Sequence, residues 1–263
     1  MKLNIVPART GILWVRLGIR TFWRQPIAMT GLFFMFMALM SIASLLPYVG
    51  GFLALMLLPA ATLGLMAAAR EAFLGKFPMP TVLVSAFRAG QQRKKDMLVL
   101  GVLYAISFLV VMALSALLDG GDFARLYLMG GTFSRETLMR DDFQAAMWLS
   151  TVLYLPLSAL FWHAPALIHW HGVSPVKSLF FSLLGCWENK AALTVYMLGW
   201  TGVFVVGAVL ISTVVATLGP NGMAAALALP AILVMAAMFF SSIHFSFNDS
   251  FLTDPAEPPE SAV

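Results

Sequence analysis

The side chains best suited to chemistry are few and unevenly placed. Three of the four histidines, the one cysteine and three of the seven tryptophans fall between Phe161 and Lys190, in FWHAPALIHWHGVSPVKSLFFSLLGCWENK. His163, His169, His171 and the distant His244 are the residues a haem or transition-metal site would use. Their spacing matches no helical i, i+4 ligand pair, so no metal is expected. Asp141-Asp142 is the candidate for paired acid–base work, but adjacent helical residues point about 100° apart. No nucleophile, metal partner or phosphate cradle accompanies them. Walker, GxSxG, HExxH and paired CxxC motifs are absent. Cys186, alone, implies no disulfide within the chain. These residues point away from catalysis, and no cofactor is expected beyond a bound phospholipid.

Cations supply the other chemistry. Met1 to Pro26 carries Lys2, Arg9, Arg16, Arg20 and Arg24 with no acid. On a helix at 100° per residue, Arg9, Arg16, Arg20 and Arg24 gather within about 80°, roughly opposite Trp14, Val15, Gly18, Ile19 and Phe22. That pattern predicts an interfacial helix over 10–24, with arginines toward anionic headgroups and its apolar face covered by lipid or by the bundle. Nucleic acid is not expected as a partner. A second cluster, Arg93-Lys94-Lys95, abuts an apolar run, and Lys177 opens a third semi-polar stretch. Arg9, Arg16, Arg20, Arg24, Arg93, Lys94, Lys95 and Lys177 are therefore the candidate lipid-binding residues. No signal-peptide cleavage pattern follows the basic start, so the segment is expected to be retained.

What must position these groups is a membrane bundle. Of 263 residues, 60% are hydrophobic and 11% charged, with mean hydropathy +0.88. Soluble domains run near 25% charged, so this chain has too few charges for a water-facing surface. A spanning helix needs about 20 apolar residues. Six such runs fit, over about 27–46, 50–69, 97–118, 143–168, 191–218 and 223–245. The expected fold is all-α and polytopic, a single membrane domain over 1–247 with interfacial helices near 10–24, 81–95 and 175–190. The acidic, proline-rich stretch 248–263 is expected to be disordered.

Local signals refine the map. Ala60, Gly64 and Ala68 recur every fourth residue, a spacing that lets membrane helices approach closely, and predict a tight first hairpin. The methionines of the first span are read as packing residues. Pro156, Pro165 and Pro230 predict kinks whose freed carbonyls neighbouring hydroxyls or water can satisfy. Trp162, Trp170 and Trp187 mark an interfacial depth. Within 175–190, Lys177, Ser178, Ser182, Gly185, Glu188 and Asn189 share one side, opposite Phe180, Leu183, Leu184 and Trp187. The loop 119–142 is acidic and reads as solvated. Gly219-Pro220-Asn221-Gly222 should join the last two spans.

Charge sorts the connections. With a cytoplasmic amino terminus, thirteen of the sixteen Lys and Arg fall on inner segments and three outside, so both termini are expected in the cytoplasm. Pro7, Pro80 and Pro175 each precede a semi-polar stretch and a pair of spans, which suggests three copies of an interfacial helix plus a hairpin. No acid or base lies inside the six spans, which disfavours ion-coupled transport through a midplane carboxylate. The reading is a non-enzymatic protein that binds anionic lipid, or another inner-membrane protein, at its cytoplasmic face. A small-molecule channel or transporter using the kinked spans is the alternative, and a haem- or metal-binding membrane protein the second. The sequence leaves the oligomeric state open.

Three motifs carry a resemblance: VPARTGILWVRLGIRTFWRQP, LLPAATLGLMAAAREAFLGKFPMP and FWHAPALIHWHGVSPVKSLFFSLLGCW. Together they resemble an uncharacterised family of proteobacterial, chiefly betaproteobacterial, inner-membrane proteins. That family is itself distantly similar to YciC-like proteins and to the membrane domain attached to some glycerophosphodiester phosphodiesterases. The resemblance spans nearly the whole chain except the acidic tail, and implies six spans in the inner membrane. It carries no active-site residues, and with no phosphodiesterase domain expected here, hydrolysis does not follow from it.

Overall fold

The computed structural model describes residues 2–130, 132, 134–218 and 223–252, without the side chains of 218 and 223–227. In order come β1 (Lys2–Leu3), α1 (Thr10–Arg24), α2 (Pro26–Ser44), α3 (Gly50–Phe73), a 3-10 helix (Pro80–Phe87), α4 (Gln91–Asp119), α5 (Asp122–Met129) and α6 (Arg135–Leu138). There follow α7 (Asp141–Trp162), α8 (Ala164–His171), α9 (Pro175–Glu188), α10 (Lys190–Leu218), α11 (Met223–Ser250) and β2 (Phe251–Leu252). Among the described residues six helical stretches are long and apolar enough to cross a membrane: Pro26–Ser44, Gly50–Phe73, Gln91–Asp119, Asp141–His171, Lys190–Thr217 and Ala228–Ser250. The fold is an all-α, polytopic membrane architecture.

Several boundaries differ from the sequence reading. The stretch 81–95 is not one helix: a 3-10 turn ends at Phe87, Gly90 adopts φ 101°, and α4 then starts at Gln91. The basic cluster is thus the first turn of a spanning helix, since a left-handed glycine interrupts the chain just before it. Gly64 of the small-residue face packs on the 3-10 segment, where a Cβ would meet the Leu83 backbone at 2.7 Å. The acidic loop holds two short helices, and Asp119 is buried, its carboxylate accepting from the Gly121 and Phe123 N–H groups at 2.8 and 2.6 Å. Residues 248–250 complete α11 and 251–252 pair with the amino terminus, so this part of the expected tail is ordered. The 219–222 turn and residues 253–263 lie outside the described residues.

The chain divides into two compact units. The first comprises the chain up to Met37, Ala61–Ser85 and the part from Leu184 onward. In it, α1 lies against α10 and α11. A Cβ on Gly11 would overlap the Ala192 carbonyl and one on Gly18 the Ser242 side chain, so glycines seven residues apart set the close crossing. Trp14 is 0% and Phe22 1% exposed. Beneath them Tyr196 and Trp200 converge on Ser242 at 2.6 and 3.1 Å, while the Ser242 hydroxyl donates to the Phe239 carbonyl at 2.6 Å. With that donor used, Tyr196 must donate, and the hydroxyl is saturated at one donor and two acceptor positions.

The second unit comprises Ala38–Ala60 and Ala86–Leu183, with α4 packed on α7 and α8. Tyr104 sits edge-on to Phe161 at 5.1 Å and meets the Tyr154 hydroxyl at 3.4 Å. The expected kink at Pro165 is a full break, for α7 stops at Trp162 and α8 restarts at Ala164. Proline has no N–H and its ring crowds the carbonyl four residues back. Ala159 and His163, hydrogen-bond partners in an unbroken helix, are bridged instead by Ser182 of α9. Its hydroxyl donates to the Ala159 carbonyl at 2.8 Å and accepts from the His163 N–H at 2.9 Å.

Candidate functional site

On α1 the amphipathic split is realised, with the bundle covering the apolar face. Gly11, Trp14, Val15, Gly18, Thr21 and Phe22 are buried, whereas Arg9, Arg16, Arg20 and Arg24 are exposed. Two close glycine crossings leave no gap for lipid beneath the rings. The orientation is fixed further by the Trp14 indole N–H, which donates to an Asp249 carboxylate oxygen at 2.8 Å. A guanidinium is strongly hydrated or headgroup-bound and is expensive to bury unpaired, so the arginine face must point outward.

Pro7, Arg9, Thr10, Ile12, Leu13 and Arg16 enclose a groove of about 410 Å³. Arg9 and Arg16 stand two helical turns apart, roughly 10 Å along the axis, with Ile12 and Leu13 between them. Neither they nor Arg20 form an ion pair among the described residues. Cation, apolar wall and cation in sequence suit an amphiphile carrying negative charge.

The other candidates divide. Arg24 is engaged: its Nη1 donates to the Phe73 carbonyl at the end of α3, and its guanidinium lies 5.4 Å from the Phe73 ring centroid. The Arg93 guanidinium is half-buried against Gly172, the residue that caps α8, where a positive charge is favoured by the helix dipole. Lys94, Lys95 and Lys177 are exposed. Arg9, Arg16, Arg20 and Arg24 belong to the first unit, and Arg93, Lys94, Lys95 and Lys177 to the second.

The histidines serve different places. His163 is 0% exposed at the α7–α8 break, His169 and His171 lie in the last turn of α8, and His244 is in α11 of the other unit. Among the described residues no three His, Cys, Asp or Glu side chains assemble as a metal cage. Of the Asp141-Asp142 pair, Asp142 is ion-paired. Arg140 spans Asp142 at 2.5 Å and Asp122 at 3.1 Å, and these exposed bonds raise the Arg140 pKa further.

Sequence reasoning missed a polar clasp in the first unit. Asn189 accepts from the Val6 N–H at 2.8 Å and donates to the Asn4 carbonyl at 3.0 Å and the Ser250 hydroxyl at 3.3 Å. Asn4 in turn donates to the Asp249 carbonyl at 2.8 Å. Asn189 sits between two helices and Asp249 in what reads as tail, so only their meeting reveals the clasp. Nearby Cys186 is buried, which pushes its thiol up to about 12.

Six helices long and apolar enough to span a membrane, with an outward arginine face on α1, define a polytopic membrane protein. The chain is 37% identical to a probable inner membrane protein of Burkholderia thailandensis over 262 residues, 98% of this chain and 97% of that one, and belongs to the same family of inner-membrane proteins. No family model matches the chain. No solved structure matches it.

Proposed function

We propose that this inner-membrane protein is non-enzymatic and binds anionic phospholipid through the outward face of α1, with Arg9, Arg16 and Arg20 as the headgroup contacts. The observation that carries this reading is the groove between Arg9 and Arg16, whose cations have no carboxylate partner among the described residues while the opposite ring face is sealed inside the protein. Both termini are placed in the cytoplasm on the thirteen-to-three distribution of Lys and Arg. The pairing of Lys2–Leu3 with Phe251–Leu252 supports putting the two ends on one side. Lys94, Lys95 and Lys177 add exposed cations on the second unit, each worth on the order of 1 kcal/mol beside an anionic leaflet. The distant resemblance to YciC-like proteins and to the phosphodiesterase-attached membrane domain is part of the proposal, as a kinship of membrane modules that contributes no hydrolytic residues.

The test is native mass spectrometry of the full chain in mild detergent with phosphatidylglycerol. Replacing Arg9, Arg16 and Arg20 by Gln should lower lipid retention about tenfold or more, from roughly 1 kcal/mol per cation. Unchanged retention sinks the lipid reading, and solute flux in reconstituted vesicles would establish the channel or transporter alternative in its place.

A further inference from the structure

A second groove lies in the first unit, away from the arginines. Cys186 and Lys190 stand at its head, and Leu193, Thr194, Met197 and Leu198 continue it along α10, enclosing about 360 Å³. Lys190 is the first residue of α10, and its Nζ lies 4.9 Å from the ring centroid of Trp187, which is 64% exposed. A Lys–Trp pair at a span's end marks headgroup depth, where the ring meets lipid and the ammonium meets phosphate. From Lys190 to Leu198 the helix descends roughly 12 Å, close to the half-thickness of a ~30 Å hydrocarbon layer. No carboxylate pairs with Lys190 among the described residues. The Thr194 hydroxyl is turned to its own helix, donating to the Lys190 carbonyl at 2.8 Å, so the walls below the ammonium are apolar.

We propose that this groove is a site for one anionic phospholipid, its phosphodiester on Lys190 and one acyl chain lying along Leu193 and Met197 toward Leu198. The site shares no residue with the arginine groove and stands whether or not that one binds lipid. A phosphodiester on Lys190 can come from a lipid or be mimicked by free phosphate, and the acyl chain distinguishes the two.

The native thiol is buried and protonated, so Leu198, which lines the groove and is 65% exposed, is replaced in a Leu198→Cys, Cys186→Ala chain to report on occupancy. Delipidated full-length protein in mild detergent is alkylated with N-ethylmaleimide, alone and with phosphatidylglycerol, phosphatidylcholine or inorganic phosphate. Phosphatidylglycerol should slow alkylation at the Leu198→Cys position about fivefold more than phosphatidylcholine does, and inorganic phosphate should have no effect. Lys190→Gln should erase the difference between the two lipids. Met197→Trp, at a position already 43% exposed, should fill the groove and abolish protection by both while the thermal melt is unchanged. Gln at Arg9, Arg16 and Arg20 should leave the protection intact. A rate indifferent to lipid, equal protection by both lipids, protection by inorganic phosphate alone, or a lipid preference that survives Lys190→Gln would each overturn the assignment.

Discussion

α1 and α9 are both amphipathic by sequence, and they sit in opposite senses. On α1 the rings Trp14 and Phe22 are buried and the arginines face out. On α9 Val176, Phe180 and Trp187 are 72%, 61% and 64% exposed, whereas Ser178, Ser182 and Gly185, and Asn189 just past its end, are buried. The difference lies in the kind of polar group. Arginine cannot be buried without a counter-charge, so α1 turns it outward and packs its rings on protein. Serine and asparagine are small and can be satisfied by backbone groups, which Ser182 of α9 finds at the Ala159–His163 gap and Asn189, just after α9, finds at the amino-terminal arm. In a membrane, apolar side chains facing outward can meet hydrocarbon at no loss. Amphipathicity in a membrane protein thus reports two faces without saying which is inner.

The comparison breaks most severely at Trp14. Trp14→Ala removes both the ring between α1 and α10 and the bond to Asp249, and is expected to lower stability by about 3–5 kcal/mol in a detergent thermal melt. A loss below about 1 kcal/mol would mean the helix is held by lipid instead of protein.

On α9 the matching test is Ser182→Ala, which removes the bond to the part-buried Ala159 carbonyl and the buried bond from the His163 N–H and should cost about 1–3 kcal/mol. In a Pro165→Ala background the helix can close across Ala159 and His163, so the same substitution should then cost much less. Equal costs in both backgrounds would refute the bridging role of Ser182.

Cys186 supplies a pH arm. Its folded thiol titrates near 12 against about 9 unfolded, so the neutral form contributes stability below pH 9, and that contribution is lost as pH rises from 9 toward 12. Melts from pH 8 to 10 should fall more steeply for the wild type than for Cys186→Ala, by up to about 1.4 kcal/mol per pH unit. Parallel curves would show the thiol to be solvated.

The smallest effects belong to the outward faces themselves. Arg16→Gln on α1 and Phe180→Ser on α9 should each change stability by no more than about 0.5 kcal/mol, because both side chains are exposed and Phe180 touches only the neighbouring Phe181 ring among the ring contacts. Only the first should reduce retention of phosphatidylglycerol. A large destabilisation by Phe180→Ser would show that this α9 face is covered by protein.

The legible parts of the fold follow from properties local to the chain. Low charge and six long apolar runs specify the solvent and the number of spans, because an apolar helix of that length has no other stable home. The arginine arc of α1 was equally readable, since charge alone determines which side it shows. The Pro165 break was signalled by a missing N–H, which any helix would register. Tertiary structure alone decided what met the freed groups: that Ser182 bridges Ala159 and His163, that Asn189 and Asp249 close a clasp with Asn4 and Trp14, and that Lys190 heads an apolar groove. Those choices depend on partners up to 245 residues apart in sequence. A hydroxyl or amide has no fixed side until the fold brings it a donor or acceptor, whereas an unpaired guanidinium is directed outward by its own solvation energy.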